Sequence, residues 1–265
     1  MAATASDYSD KELMAVFISR QIRDGEFVNV GTNLPIPRAG VLLAHFTRCP
    51  NLRLGVGGGV IANFLQQPRV ESFEFIGDYR SYVAAEAFLP MDFENLRRFD
   101  LFFVGGLQID RYGNTNLIGI GKDYPRLRFR GPGTVGIASI TTHARRYFIF
   151  SSAHNPRVFV ERCEYVSSVG WNQGGADARR KLGLPGGGPQ FVITPLCVMD
   201  FEEETKRMRL KHVAPRSSVE EIVKNTGFEL IIPPNLEPLD PPTAAELAVL
   251  RVRVDPEGVL RSAGE

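Results

Sequence analysis

The chain has 265 residues and a mass of 29.4 kDa, and 43% of its residues are apolar and 23% charged. This ordinary globular composition excludes an intrinsically disordered chain, and the length predicts one large domain or two small ones. Lysine and arginine number 31 against 30 acidic residues, which leaves a net charge of +1 and gives no indication of a nucleic-acid or anionic-membrane partner.

Cysteine usage and the chain start indicate the compartment. The 3 cysteines lie far apart without a CxxC pair, which excludes a zinc ribbon and a thioredoxin motif, and their odd number fits a reducing environment. The N-terminal segment is acidic and lacks the apolar core of a signal peptide. The longest apolar run, over residues 101–107, is far shorter than the ~20 residues of a membrane helix. We therefore expect a soluble cytoplasmic protein.

The first predicted element is a helix over about residues 10–23. Ser9 and Glu12 form a capping-box pattern ahead of apolar residues at helical spacing, and Gly25 offers a left-handed stop. Short apolar runs bounded by turn residues then predict strands that are buried on both faces. These runs cover residues 27–30, 52–56, 101–104, 135–140, 147–150, 158–160 and 191–193. Further helices are predicted over residues 36–46 and 218–225.

Alternation of such strands and helices predicts an α/β fold, with an open, mostly parallel sheet and flanking helices. We assign residues 1–232 to one domain of this class. Prolines become frequent after about residue 230, so residues 233–265 are predicted to form an extended tail with a short helix over residues 243–253.

Glycine-rich segments follow several of the predicted strands. Residues 131–136 match GxGxxG, but the residues after them resemble a strand and no acid follows about 20 residues on, so we do not expect dinucleotide binding. Residues 55–59 contain three consecutive glycines, Gly57 to Gly59. Such a run leaves backbone amides open to a ligand, although a plain tight turn is its commoner origin.

Histidines and basic residues are further candidates for ligand binding. The 4 histidines lack the common metal-binding spacings, so we expect neither a metal nor a cofactor, and His154 is interpreted as a turn residue. The segment 122–130 carries four basic residues, and Arg126 and Arg128 point the same way if the chain is extended there. Two guanidinium groups suit a carboxylate or phosphate ligand, although charge clusters are usually solvated surface.

Several glycine-containing turn motifs follow one another along the chain. They are VGTNLP at 30–35, GGLQID at 105–110, YGNTN at 112–116, RFRG at 128–131, YVSSVGW at 165–171 and LGLPG at 182–186. Taken in this order, the motifs resemble the β subunits of heteromeric class I CoA-transferases, such as that of glutaconate CoA-transferase. The resemblance covers roughly residues 8–240, and no single motif carries it alone. It implies a CoA-transferase-like fold, an acyl-CoA substrate and an α subunit as partner.

One position departs from the family pattern. The resemblance places the nucleophilic glutamate of the transferases at Gly57, which has no side chain to form an acyl anhydride or a glutamyl-CoA thioester. The nearest acids past the glycine loop are Glu71 and Glu74. Either a nearby acid substitutes, or the scaffold performs another reaction.

A branch of the family shares this departure, namely the ring-cleaving acyl-CoA hydrolases of cholesterol-degrading bacteria, and the chain resembles their β subunits. That resemblance implies hydrolysis of a ring C–C bond in a cyclohexenone carboxyl-CoA left from the sterol C and D rings. It also implies that the α subunit supplies the catalytic glutamate.

Within this chain, Gln108 and Arg126 are the predicted catalytic residues. The Gln108 amide would hold a substrate oxygen, and Arg126 would pair with a carboxylate or a developing enolate. Asp110 is expected only to cap a turn. Substrate binding is assigned to Gly57, Gly58, Gly59, Asn116 and Arg128.

Two alternatives stay open. One is an orthodox CoA-transferase, which moves CoA between carboxylic acids with an acid that the sequence does not identify. The other is a catalytically silent β subunit that only completes the fold of its α subunit.

Overall fold

The computed structural model describes residues 6–31, 34–56, 60–64, 79–83, 99–134 and 136–262. The helices are α1 (Asp10–Gln21), α2 (Pro35–Thr47), α3 (Ile137–His143), α4 (Ala178–Lys181), α5 (Val219–Lys224) and α6 (Ala244–Val249), which a π-helix continues over Leu250–Val254. The strands are β1 (Phe27–Val30), β2 (Arg53–Val56), β3 (Val60–Phe64), β4 (Tyr79–Val83), β5 (Leu101–Val104), β6 (Gln108–Asp110), β7 (Thr115–Asn116), β8 (Gly119–Ile120), β9 (Phe129–Arg130), β10 (Arg146–Phe150), β11 (Phe159–Val160), β12 (Pro189–Ile193), β13 (Cys197–Phe201), β14 (Met208–Val213) and β15 (Glu237–Pro238).

The chain divides into two compact units, of which the first comprises residues 1–101 and 241–265. In this unit β1 pairs in parallel with β2, and β3 and β4 follow as antiparallel strands. Helix α1 begins at the predicted capping box, since Ser9 Oγ accepts from the Glu12 amide at 3.1 Å and Glu12 accepts from the Ser9 amide at 2.8 Å.

Two charged pairs join the C-terminal segment to α1. Arg251 donates to the two carboxylate oxygens of Glu12 at 2.8 and 2.9 Å, and Arg20 donates to those of Glu246 at 2.9 and 2.7 Å. Burial of Glu12 would raise its pKa, but the hydrogen bonds from Arg251 and from the Ser9 amide outweigh it and lower that pKa. The predicted short C-terminal helix is confirmed.

The second unit comprises residues 102–240. Its larger set of strands runs in the order β15-β14-β13-β12-β10-β5, with β10 parallel to β12 and with β13 antiparallel to both of its neighbours. Two small sheets accompany it, in the orders β11-β6-β7 and β8-β9. The predicted α/β fold, an open and mostly parallel sheet with flanking helices, is confirmed, and antiparallel strands extend it in each unit. No helix in the described ranges is long and apolar enough to span a membrane.

The predicted domain boundary at residue 232 stays a prediction. The structure groups residues 241–265 with the N-terminal unit, on the strength of contacts such as the Arg251–Glu12 pair.

The strand predicted over residues 135–140 is wrong, because residues 137–143 form α3. The buried positions Ile137, Ile140 and Thr141 share one helical face, and Gly136 caps the helix in the left-handed region at φ 82°. Burial of that face outweighs the strand preference of β-branched residues. A helix therefore does follow the GxGxxG segment, so the predicted strand no longer argues against dinucleotide binding there. The absence of an acid about 20 residues further on still does.

Candidate active site

A cleft of about 350 Å³ opens in the second unit beside strand β6. Four polar side chains line it, namely Gln108, Arg128, Arg157 and Glu164, together with apolar side chains that include Ile120. We call it the Gln108 cleft. Its volume lies in the range of small-molecule sites, which are about 300–1,000 Å³. Two of the predicted site residues, Gln108 and Arg128, therefore meet in one cleft.

The amide of Gln108 is held in a single orientation. Gln108 is 5% exposed, and its Oε1 accepts from Asn116 Nδ2 at 2.8 Å and from the Glu164 backbone amide at 3.0 Å. Its Nε2 donates to Glu164 Oε1 at 3.3 Å. An amide oxygen has two lone pairs and an amide nitrogen has two hydrogens. The oxygen is therefore saturated, and one N–H remains to donate to a ligand oxygen.

Asn116 orients Gln108 and shapes the turn that follows β7. Its Nδ2 donates to Gln108 Oε1 and, at 2.8 Å, to the Gly119 carbonyl. Its Oδ1 accepts from the backbone amides of Ile118 at 2.9 Å and Gly119 at 3.3 Å. Asn116 is fully buried and all of its polar groups have partners in the chain. The geometry thus gives Asn116 a supporting role, whereas substrate contact by its side chain stays a prediction.

Two arginines, set against the single carboxylate of Glu164, give the Gln108 cleft a net positive charge. Arg128 and Arg157 line it, both are exposed, and neither forms an ion pair with a residue in the described part of the chain. The sequence patterns did not predict Arg157 as a site residue, because it follows an Asn-Pro dipeptide that is typical of a turn. Two guanidinium groups in one cleft suit an anionic ligand, above all a carboxylate.

Arg126 lies outside the lining of the Gln108 cleft. Its side chain is exposed, and the chain turns over residues 124–126 rather than extending. The condition under which Arg126 and Arg128 would face the same way is therefore not met. The catalytic role of Arg126 stays a prediction, and its exposed guanidinium is accessible to a ligand or a partner chain.

The predicted glycine triplet, Gly57, Gly58 and Gly59, lies outside the described residues, as do Glu71 and Glu74. Strand β2 leads directly to this triplet. Its role stays a prediction from the sequence.

A buried network of hydrogen bonds around Asp110 and Asn114 fixes the turn between β6 and β7. Asp110 Oδ1 accepts from the Tyr112 amide at 3.0 Å and from the Asn114 amide at 3.1 Å, which confirms the predicted turn cap. Burial raises the pKa of Asp110, against the opposing effect of these hydrogen bonds. Gly170 donates to Asn114 Oδ1 at 3.0 Å, and a Cβ on Gly170 would come within 2.4 Å of the Gly113 carbonyl group. The two loops can meet only because Gly170 lacks a side chain.

His154 lies in a loop but is buried, and both ring nitrogens are hydrogen-bonded. Nδ1 lies 2.9 Å from Thr194 Oγ1 and Nε2 lies 3.0 Å from Thr226 Oγ1. Burial lowers the pKa of His154 to about 4. A neutral, fully paired imidazole of this kind supports the loop and has no exposed nitrogen for a substrate. The described residues contain no cluster of side chains able to hold a metal ion.

Comparison with known proteins gives one family. The model of the Coenzyme A transferase family matches residues 11–225. The chain is 36% identical to the β subunit of glutaconate CoA-transferase from Acidaminococcus fermentans, over 96% of this chain and 95% of the relative. The crystal structure of that enzyme superposes with a TM-score of 0.83 at 32% identity, and the match covers 98% of this chain and 99% of the other.

Two further relatives have names that state different activities, a CoA-transferase and a ring-cleaving hydrolase. The β subunit of 3-oxoadipate CoA-transferase from Pseudomonas knackmussii is 33% identical over 93% of each chain. The cholesterol ring-cleaving hydrolase IpdB subunit of Mycobacterium tuberculosis is 26% identical over 94% of this chain and 95% of the relative. Because the family model matches most of the residues and the first relative aligns along nearly the whole chain, the protein belongs to the Coenzyme A transferase family.

Proposed function

We propose that the chain is the β subunit of a heteromeric acyl-CoA hydrolase that cleaves a ring C–C bond. The proposed substrate is a cyclohexenone carboxyl-CoA from late degradation of the sterol C and D rings, and the proposed partner is an α subunit that supplies the catalytic glutamate. The observation that carries this proposal is Gly57, which stands at the position that the motif resemblance assigns to the nucleophilic glutamate of the transferases. The similarity to a ring-cleaving hydrolase subunit supports it.

The proposed reaction needs no nucleophile from this chain. Water adds to the ring carbonyl carbon, and the resulting oxyanion collapses as the bond to the neighbouring ring carbon breaks. The electron pair of that bond becomes an enolate conjugated with the thioester, and a proton originating from the water finally reaches the carbon. Atoms and charge balance with water as the sole co-reactant. The two oxyanions that develop are the species that the protein must stabilise.

The Gln108 cleft contains groups suited to those charges. The remaining Gln108 N–H can donate to a developing oxyanion, and its orientation is fixed before the substrate binds. Arg128 and Arg157 can pair with a carboxylate on the ring side chain, and the exposed Arg126 is proposed to contact that carboxylate or the enolate. Gly57 to Gly59 are proposed to supply backbone amides and space for the ring.

A second candidate function is CoA transfer between carboxylic acids. Its support is the 36% and 33% identity to subunits of two CoA-transferases. It requires a carboxylate nucleophile at a position other than Gly57, on this chain or on its partner.

The assay that separates the two uses the chain purified together with its α subunit. The complex is incubated with a cyclic β-oxo acyl-CoA, with and without a dicarboxylic acid as acceptor. The proposal predicts ring opening without the acceptor and little activity from this chain alone. Gly57→Glu should lower ring opening, since the added side chain occupies space near the substrate. Transfer of CoA to the acceptor, with no ring opening, would favour the second candidate instead.

A further inference from the structure

We propose that Glu164 is a positioning residue that clamps the Gln108 amide, so that an N–H and not the carbonyl oxygen faces the acyl-CoA substrate. The inference rests on the proposed function in one respect, namely that the Gln108 cleft binds an acyl-CoA. The role is the same whether the complex hydrolyses its substrate or transfers CoA.

The clamp is formed by two groups of one residue. The Glu164 backbone amide donates to Gln108 Oε1 at 3.0 Å, and Glu164 Oε1 accepts from Gln108 Nε2 at 3.3 Å. Asn116 Nδ2 adds a second donor to Gln108 Oε1 at 2.8 Å. A flipped amide would turn Nε2 toward two N–H donors and Oε1 toward a carboxylate. Each of these contacts is repulsive, and although Glu164 is exposed, Gln108 and Asn116 are buried, so the flipped orientation is disfavoured.

The Glu164 carboxylate is itself anchored. Its Oε2 accepts from the Gly121 amide at 2.6 Å, and the Gly121 carbonyl accepts from Tyr165 Oη at 2.6 Å. A Cβ on Gly121 would lie 2.9 Å from the Arg128 backbone nitrogen, so this loop passes directly beside Arg128. Glu164 therefore connects the amide donor of the cleft with the loop that precedes its arginine.

A carboxylate serves this purpose better than a neutral amide would. It accepts on both oxygens at once, and its negative charge strengthens the hydrogen bonds from Gly121 and Gln108. A glutamine at position 164 could accept through one oxygen only, and its own N–H groups would oppose one of the two donors. Glu164→Gln thus disrupts the clamp while it preserves the size of the side chain.

The matched control is Glu161→Gln. Glu161 precedes Glu164 in the same loop, its side chain is 61% exposed, and its partner is Arg111 rather than any residue of the Gln108 cleft. If Glu164 merely anchored its loop, Glu164→Gln would lower the melting temperature and leave kcat near that of the wild type. Positioning of Gln108 instead predicts a change in kcat.

The test is a double-mutant cycle on the complex with the α subunit, with kcat, KM and melting temperature measured for the acyl-CoA reaction that the complex performs. We expect Glu164→Gln to lower kcat about tenfold to a hundredfold, as the loss of charge-assisted hydrogen bonds predicts. Glu164→Asp should recover part of kcat, and Glu161→Gln should match the wild type. In a Gln108→Ala background Glu164→Gln should cause no further loss, because its effect passes through Gln108.

Three results would overturn the clamp: independent losses that multiply in the double variant, a Gln108→Ala variant with wild-type kcat, or a Glu164→Gln variant with wild-type kcat. Failure of the proposed function is recognised separately, since the wild-type complex would then transfer CoA rather than open a ring. The same double-mutant cycle would then be measured on the CoA-transfer reaction. If the complex shows no turnover, the Kd of each variant for the acyl-CoA is measured by calorimetry instead of kcat. An unchanged Kd in Glu164→Gln then contradicts the proposal.

Discussion

Arg128 and Arg157 are the residues whose charge distinguishes the Gln108 cleft from an ordinary surface groove. We predict that Arg128→Ala raises KM about tenfold or more for a substrate that carries a free carboxylate, because a charge-assisted hydrogen bond is worth about 1.5–3 kcal/mol. Arg157→Ala should act in the same direction. Steady-state kinetics with the acid and with its neutral amide analogue measure the difference.

The exposed Arg162 provides a control of equal charge, since it does not line the cleft. Arg162→Ala should leave KM for both substrates near the wild-type value. If Arg128→Ala changed KM equally for the acid and the amide, the arginine would not bind the carboxylate.

His154 makes the stability of the fold depend on pH. Burial lowers its folded-state pKa to about 4, against the ordinary value of 6.5. Between these pH values the unfolded chain binds a proton at His154 that the folded chain does not bind. The contribution of neutral His154 to the free energy of unfolding is therefore complete above about pH 6.5 and is lost as the pH falls toward 4. At about pH 5 the loss amounts to about 2 kcal/mol.

Urea unfolding at about pH 7.5 and about pH 5 measures this effect. His154→Gln should remove about 2 kcal/mol of the loss at about pH 5, whereas His143→Gln, at the partly exposed end of α3, should retain it. An unchanged pH dependence in His154→Gln would show that another group is responsible.

Helix α3 and two loops of the second unit are held together by a buried arginine in α4, Arg179. Arg179 is 3% exposed and donates to backbone carbonyls of three segments, with contacts of 2.9 Å to Gly186, 2.8 Å to Val169 and 2.8 Å to Thr141. No carboxylate in the described ranges is within hydrogen-bonding distance of it. A single side chain thus satisfies carbonyl oxygens from α3 and from the loops that follow β11 and α4.

We predict that Arg179→Met lowers the free energy of unfolding by about 3 kcal/mol or more, because several buried carbonyls lose their donor at about 1–3 kcal/mol each. Arg180→Met is the neighbouring control, since its side chain is 80% exposed, and it should change stability by no more than about 0.5 kcal/mol. Chemical denaturation of both variants measures the difference. Equal stability of the two would contradict the structural role of Arg179.

Sequence patterns predicted the elements where local signals and burial agree. Helix α1 and strands β1 and β5 lie where the capping box and the apolar runs indicated. Helix α3 was missed because its short sequence is rich in β-branched residues, and only the burial of one face reveals the helix. Strand β14 was not predicted, although its residues alternate between apolar and charged side chains from Met208 to Lys211. This period-two pattern was visible in the sequence.

The whole molecule brings together residues that no local pattern connects. Gln108 and Arg128 were predicted through motifs, and both line one cleft. Glu164 reaches Gln108 across 56 residues of sequence, so its role depends on the pairing of β6, β7 and the loop after β11. An isolated acid after a cysteine gives no signal of that kind. Contacts of this range follow from tertiary packing and are not encoded in spacing along the chain.

In the proposed reaction the assembled enzyme uses water, and not a glutamate of this chain, to attack its acyl-CoA substrate. A single turnover of the complex in ¹⁸O-labelled water distinguishes the two nucleophiles, with mass spectrometry of the product and of this chain after borohydride treatment. We predict a ring-opened product that has gained one labelled oxygen in its new carboxylate, and a chain of unchanged mass. An unlabelled product, or a borohydride-sensitive CoA thioester on a glutamate of this chain, would contradict it.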